Sequence, residues 1–207
     1  MNIYFVRHGQ TKLNGMKMTQ DRHEPLSDTG LKQARIVAQR VKTLPVEIIH
    51  ASPMKRAAQT AGIIQEATGL EIVWCDLFEE SHRPSVMIGK RNEDPFVAQV
   101  CEECNRHQND INWHYSDEEN FLEFKARAKK ALEYLESLPQ KNILVVSHGN
   151  FIKMLVLTMT LNDKVTPAIM YPFAKNFRLK NTALIHCQKN GQKWSIESFN
   201  DHRFFKT

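Results

Sequence analysis

The sequence predicts an α/β fold, a three-layer α/β/α sandwich built on a mainly parallel central sheet with a small inserted cap. Two observations carry the class. Short runs rich in β-branched and aromatic residues, at 2–6, 46–51, 70–74 and 142–146, alternate with stretches whose apolar residues recur at helical spacing. Strands separated by helices assemble into parallel sheets covered on both faces. A third observation points to a site. Arg7-His8, Arg56, Glu79-Glu80 and His148 all fall just beyond the ends of predicted strands, and ligands bind at that rim in such sheets.

The elements follow in order. Asn2 to Val6 reads as a short buried strand that runs into Arg7-His8-Gly9. A polar loop from Lys12 to Glu24 ends in Pro25-Leu26. Ser27 then caps a helix whose Leu31, Ala34, Val37, Ala38 and Val41 share one face, and Pro45 stops it. After the strand 46–51, Ser52-Pro53 offers a hydroxyl cap and a first-turn proline, with Arg56 in that first turn and Gly69 at the end. The strand 70–74 leads to Asp76-Leu77-Phe78-Glu79-Glu80. Residues 81–117 carry loop signals around a helix expected from Phe96 to His107, and read as a cap inserted in a single domain of 1–207. A long helix is expected from about Ser116, with Phe121, Phe124, Ala128, Leu132 and Leu135 as its stripe. Asn142 to Val146 runs into Ser147-His148-Gly149-Asn150 and a further helix. Thr182–Cys187 and Trp194–Phe199 form a hairpin around Asn190-Gly191, and Asn200 to Thr207 reads as a loosely held tail.

Composition narrows the class. With 207 residues, 42% hydrophobic and 25% charged, the chain fits one globular domain with a real core. The net charge of +5 admits an anionic ligand, but Lys and Arg are scattered rather than gathered in a run, so no nucleic-acid partner is expected. No apolar run approaches the roughly 18 residues of a membrane span, and the start lacks a basic segment followed by an apolar one. No membrane partner is therefore expected, and a reducing cytoplasm is the expected compartment for four cysteines without a disulfide pattern. Glycine-rich dinucleotide and Walker motifs and His-Glu-x-x-His are absent. Cys101, Cys104 and His107 have ligand types at helical spacing, but a second close cysteine pair is missing, so no metal is expected; Cys75 and Cys187 read as small core residues.

The chemistry of the strand ends is that of phosphoryl transfer. An imidazole can attack phosphorus and form a covalent intermediate, and guanidinium forks can hold the phosphoryl oxygens. Gly9, without a Cβ, lets the backbone approach a bound group. Taken singly, Arg56 also reads as an exposed helix arginine, His148 as a capping histidine, and Glu79 and Glu80 as surface charges.

Arg7-His8-Gly9, the Ser52–Ala61 stretch with Arg56, Leu77-x-Glu79 and Ser147-His148-Gly149 together resemble the histidine phosphatase superfamily, which includes the cofactor-dependent phosphoglycerate mutases. Asn14 and the Pro25–Gly30 stretch with Gln33-Ala34 are similar as well, and the resemblance runs from Asn2 to about Leu157. It implies that His8 is the nucleophile, that Arg7, Asn14, Arg56 and His148 line a phosphate pocket, with His148 also in the catalytic set, and that Glu79 protonates the leaving oxygen. It implies no cofactor.

Departures from the mutases favour hydrolysis. Leu13 stands where the mutases often have tryptophan, Arg83-Pro84 stands where many relatives have glycine, and no tyrosine lies between Glu80 and Trp113. The expected activity is a phosphomonoester hydrolase; the alternatives are a mutase-type isomerase and a non-catalytic phosphate-binding module. The expected partner is a small phosphorylated molecule, with a phosphoprotein also compatible; the sequence leaves oligomeric state open.

Overall fold

The computed structural model describes residues 1–205. Its centre is a six-stranded sheet of β1 (Asn2–Arg7), β2 (Ile48–Ala51), β3 (Ile72–Trp74), β4 (Asn142–Ser147), β5 (Leu184–Asn190) and β6 (Lys193–Asp201), in the order β3-β2-β4-β1-β5-β6. The first four strands are mutually parallel. β5 runs antiparallel to β1, and β6 antiparallel to β5.

The side-chain alternation of the strands builds the layers. Ile3 and Phe5 of β1 with Ile143 and Val145 of β4 face one core, packed under α5 (Phe121–Ser137), α6 (Gly149–Leu161) and α7 (Pro167–Asn176). Tyr4, Val6, Leu144 and Val146 face the other, packed under α2 (Asp28–Val41) and α3 (Lys55–Thr68). Each fully buried Ile or Phe here contributes about 1.5–3 kcal/mol relative to exposure. The remaining helices are the single turn α1 (Lys12–Gly15) and α4 (Pro95–Arg106).

β1 and β4 are neighbours, yet the chain leaving β1 enters α2 on one face while the chain leaving β4 enters α6 on the other. This divergence opens a crevice beyond their carboxyl ends. The register fixes its floor. Arg7 pairs with Ser147 and Ala51 with Val146, so His8, Ser52 and His148 emerge side by side.

Several boundaries differ from the sequence reading. α3 starts at Lys55 with Met54 as its N-cap; the Ser52 hydroxyl accepts from Met54 N at 3.2 Å and lies 2.8 Å from His148 Nε2 across the rim. α5 starts at Phe121 rather than Ser116. Asn120 and Glu123 close a reciprocal capping box there, and the Glu118 carboxylate bends the preceding turn by accepting from the backbone of Tyr115 and Ser116. The strands expected at 46–51 and 70–74 are shorter. The tail is held as far as described: β6 runs to Asp201 and Phe204 packs against the second core, while 206–207 lie outside the described residues.

Within 81–117, α4 carries Val97 and Val100 onto Met87, with Cys101 and Cys104 packed against that small cluster. Burial, then Glu118, pushes the Cys104 thiol up to about 11. Cys187 is buried as expected, and Cys75 is half-buried. The same stretch pairs with the loop after α1: Gly89 N donates to Thr19 O at 2.9 Å, Thr19 N to Lys90 O at 3.0 Å, and Asn92 N to Lys17 O at 2.9 Å. These bonds make residues 17–19 and 89–92 one wall of the crevice.

Candidate active site

The crevice is a cleft of about 960 Å³ lined by Arg7, His8, Asn14, Arg56, Glu79 and Glu80 among others. Its lining carries eight Lys and Arg (7, 17, 22, 56, 83, 153, 178, 180) against three acids (Asp21, Glu79, Glu80). The chemistry-bearing residues after β1 and β3 and those of α1 and α3 therefore meet in this cleft, while His148, after β4, is buried beside His8 and is not part of the lining.

His8 is 2% exposed, at the end of β1. Its Nδ1 lies 2.7 Å from the carbonyl of its neighbour Gly9. A carbonyl only accepts, so the proton sits on Nδ1 and the neutral ring carries its lone pair on Nε2. Burial first, then the nearby Arg56 and Arg7, holds the His8 pKa well below its ordinary value, opposed by the Gly9 hydrogen bond. The backbone of His8 is pinned from two sides, by Ser147 O accepting from its N–H at 2.9 Å and by Asn181 Nδ2 donating to its carbonyl at 3.0 Å.

Two guanidiniums flank that ring on uncharged partners. Arg56, 3% exposed, donates to Asp21 O at 2.7 Å and contacts Met54 Sδ at 3.3 Å. Arg7 donates to Leu179 O. The Nε of each is buried without a hydrogen-bond partner among the described residues, and so is Nδ1 of His148. Burial lowers the Arg7 pKa only to about 10, so it keeps its charge at neutral pH. Gly149 makes room for Arg7: a Cβ at 149 falls 3.3 Å from Arg7 Nε.

His148 is fully buried behind His8, ring centroids 5.1 Å apart and tilted by 55°. Burial, then Arg56, keeps it neutral as well. It is the N-cap of α6, and the second and third amides of that helix, Asn150 N and Phe151 N, donate to the Glu80 carboxylate at 3.1 and 3.0 Å. Asn14 sits on α1 at the wall of the cleft, its N–H donating to Thr11 Oγ1 at 3.0 Å.

Gly9 has a different role from the one the sequence suggested. A Cβ there falls 2.6 Å from Gly30 O, and one on Gly30 falls 2.0 Å from Gln10 O. The missing side chains let the start of α2 close on the loop after β1. Gly9 N donates instead to Thr60 Oγ1 on α3 at 3.1 Å.

Glu79 is 2% exposed; its Oε2 is hydrogen-bonded, while its Oε1 makes an ion-pair contact but no hydrogen bond among the described residues. Arg22 Nη2 lies 2.6 Å from Oε1 and Nη1 donates to Oε2 at 2.8 Å, while His82 Nε2 stands 3.1 Å from Oε2. The segment is clamped from behind. Arg127 on α5 donates to the carbonyls of Leu77 and Glu79 at 2.9 Å each and of Glu80 at 3.2 Å, and pairs with Glu119 at 2.7 Å. Ser147 Oγ donates to Phe78 O at 2.6 Å. On α6, Lys153 donates to Ala174 O at 2.7 Å, and burial pushes its pKa down to about 8.

Sequence reasoning missed Arg22, His82, Arg127, Lys153 and Asn181. Arg22 and His82 sit in polar stretches without periodicity, and Arg127 reads as an ordinary solvated helix residue. Lys153 did carry a signal, a lysine among the apolar residues of a helix that is buried all round.

Known proteins resemble this chain in sequence and fold. The model of the histidine phosphatase superfamily (branch 1) matches residues 3–202. The uncharacterized phosphatase PhoE of Bacillus subtilis is 31% identical over 200 residues, covering 96% of this chain and 93% of that one. GpmB of Photorhabdus laumondii, named a probable phosphoglycerate mutase, is 33% identical over 163 residues, 77% of this chain and 74% of that one. Among solved structures, Bacillus stearothermophilus YhfR superposes with a TM-score of 0.81 at 20% identity over 99% of both chains, a likeness of fold. The chain belongs to the histidine phosphatase superfamily.

Proposed function

We propose that the protein hydrolyses small phosphomonoesters through a phosphohistidine on His8, with Glu79 as the proton donor. The observation that carries this reading is the tautomer lock on His8. The Nδ1 contact to Gly9 O leaves the Nε2 lone pair free, between two buried guanidiniums that lack anionic partners. Phosphoryl transfer needs an in-line nucleophile and fixed positive charge about the equatorial oxygens, and these groups match both needs.

In the first step Nε2 attacks phosphorus, the bond to the leaving oxygen breaks, and Glu79 gives that oxygen a proton. Arg7, Arg56, Asn14 and His148 bind the phosphoryl oxygens. In the second step Glu79 takes a proton from water as the water attacks phosphohistidine, releasing phosphate and restoring both groups. Fixed cationic side chains do the charge stabilisation that metal ions do in metal phosphatases, so we read the reaction as metal-independent. The cleft volume suits a metabolite-sized ester, and 81–117 is read as a cap on its mouth.

The similarity to GpmB supports one alternative, return of the phosphoryl group to a bound intermediate. A panel of phosphorylated metabolites, assayed with chelator present and with His8→Ala as control, separates the two. Free phosphate from several esters supports hydrolysis, and interconverted phosphoglycerates without phosphate release support the mutase. Dependence on a divalent ion contradicts the assignment of the phosphate ligands.

A further inference from the structure

Glu79 faces a difficulty as an acid. Its side-chain partners among the described residues are Arg22 and His82, and an acid needs a proton from one of them: Arg22 Nη1 donates to Oε2 at 2.8 Å and Nη2 lies 2.6 Å from Oε1. Arg22 cannot supply one, because a guanidinium stays protonated throughout the working range. The His82–Glu79 contact at 3.1 Å needs one proton, and either atom can carry it.

We infer that His82 is the proton reservoir of Glu79, holding the acid's proton while Arg22 neutralises the carboxylate and passing it to Oε2 when the substrate's phosphate draws Arg22 away. This rests on the hydrolase reading above. Arg22 lines the same cleft with 48% of its side chain exposed, so an incoming phosphate dianion competes with Glu79 for it. Once that charge withdraws, the proton in the His82–Glu79 hydrogen bond moves to Oε2. The His82 N–H bond breaks, the Glu79 O–H bond forms, and the ring becomes neutral. Glu79 then protonates the leaving oxygen, which keeps the electron pair of the broken O–P bond. The proton taken from attacking water returns to Glu79 and from there to His82, so the cycle closes.

The surroundings of His82 suit the task. The Glu79 hydrogen bond raises its pKa above the ordinary value against partial burial; Glu119 adds to the rise and Arg127 opposes it. With 49% of its side chain exposed, the ring also exchanges protons with solvent. His82 acts through Glu79 and is a positioning residue, separate from the groups that hold the phosphoryl oxygens.

His82→Gln keeps an N–H donor to Glu79 and removes the titrating proton. The experiment compares glycerol 2-phosphate, whose alkoxide must be protonated, with p-nitrophenyl phosphate, whose phenolate leaves without help. The His8 label is followed by rapid quench and kcat/KM across pH. The variant is expected to lower the glycerol 2-phosphate rate at least about 10-fold more than the nitrophenyl rate, and to move the alkaline limb for glycerol 2-phosphate about one pH unit or more toward acid. Where His82→Gln fails to fold, His82→Gly with added imidazole is the second variant, and imidazole restores its alkyl-ester rate. An alkaline limb that does not move, or no rescue in the second variant, overturns the inference while leaving the labelled intermediate intact. Absence of label on His8 in the unaltered enzyme with both esters overturns the hydrolase reading itself.

Discussion

Arg127 Nη1 donates to the backbone carbonyl of Glu79 at 2.9 Å, from a helix 48 residues further along the chain. The same guanidinium reaches Leu77 O and Glu80 O, and it stacks 4.5 Å over the ring of Phe151. One side chain thus ties the acid segment, α5 and α6 together, so the position of the carboxylate in the cleft depends on a residue that does not touch the cleft.

Arg127→Ala therefore removes the clamp while leaving the acid in place. Three carbonyls lose a charged donor and the Glu119 carboxylate loses its partner, which costs about 2–4 kcal/mol. We expect the denaturation midpoint to fall and kcat for alkyl phosphates to drop about 10-fold or more, with KM changed less. A stable variant with unchanged kcat contradicts the clamp.

The two adjacent glutamates have separate duties. Glu79 is buried against Arg22 and His82 and is the proton donor proposed above, and Glu80 spends both oxygens on Asn150 N and Phe151 N of α6. Glu79→Gln is expected to cut alkyl phosphate hydrolysis by about 10²-fold or more. Glu80→Gln leaves one amide of α6 without an acceptor and removes a negative charge from a helix start, so it is expected to cost about 0.5–1 kcal/mol with little change in leaving-group dependence. A selective alkyl-ester defect in Glu80→Gln reverses the assignment.

The sheet and the floor of the site were legible in the sequence because they rest on local pattern. Asn2 to Val6 and Asn142 to Val146 announce themselves by composition, and Arg7, His8, Arg56 and His148 follow strand ends that the fold class brings to one rim. Arg22, His82 and Arg127 were not legible, since their roles arise from contacts between segments 48 to 57 residues apart, or from a loop without periodicity. Ser52 shows the same limit from the other side. A hydroxyl before a proline is a good cap by local rules, yet Ser52 accepts from Met54 N just ahead of α3 and also meets a buried imidazole 96 residues away. Gly9 was read toward a ligand because a glycine's neighbour across space, here Gly30, leaves no mark in the sequence.

Gly149 offers a test of crowding at the phosphate site. A methyl group at 149 meets Arg7 Nε at 3.3 Å and displaces the guanidinium by a few tenths of an ångström, while alanine at a helix start is otherwise favourable. Gly149→Ala is expected to keep its thermal midpoint and lose about 10-fold in kcat/KM. Gly30→Ala, whose Cβ meets the backbone at 2.0 Å, is expected to do the reverse, losing about 2–3 kcal/mol of stability.

Stability should fall in mild acid. His8 and His148 are buried as neutral rings with pKa values held well below 6.5, whereas the unfolded chain takes up protons on both near that value. Their contribution is complete above pH 6.5 and declines as pH drops toward the lower folded values, by up to about 1.4 kcal/mol per unit for each ring. Urea midpoints at pH 7 and pH 5.5 measure the slope. His148→Gln, which keeps an amide near Ser52 and cannot titrate, is expected to flatten it; an equal slope contradicts burial of a neutral ring.

The central claim is the covalent intermediate on His8, and rapid-quench labelling tests it most directly. Enzyme mixed with a 32P-labelled ester and quenched within one turnover is expected to carry acid-labile, alkali-stable label on His8, at a rate matching or exceeding kcat. His8→Ala is expected to lose both label and turnover. Phosphate release by His8→Ala at an undiminished rate, or turnover of the unaltered enzyme with no label on His8 at any quench time, contradicts the account.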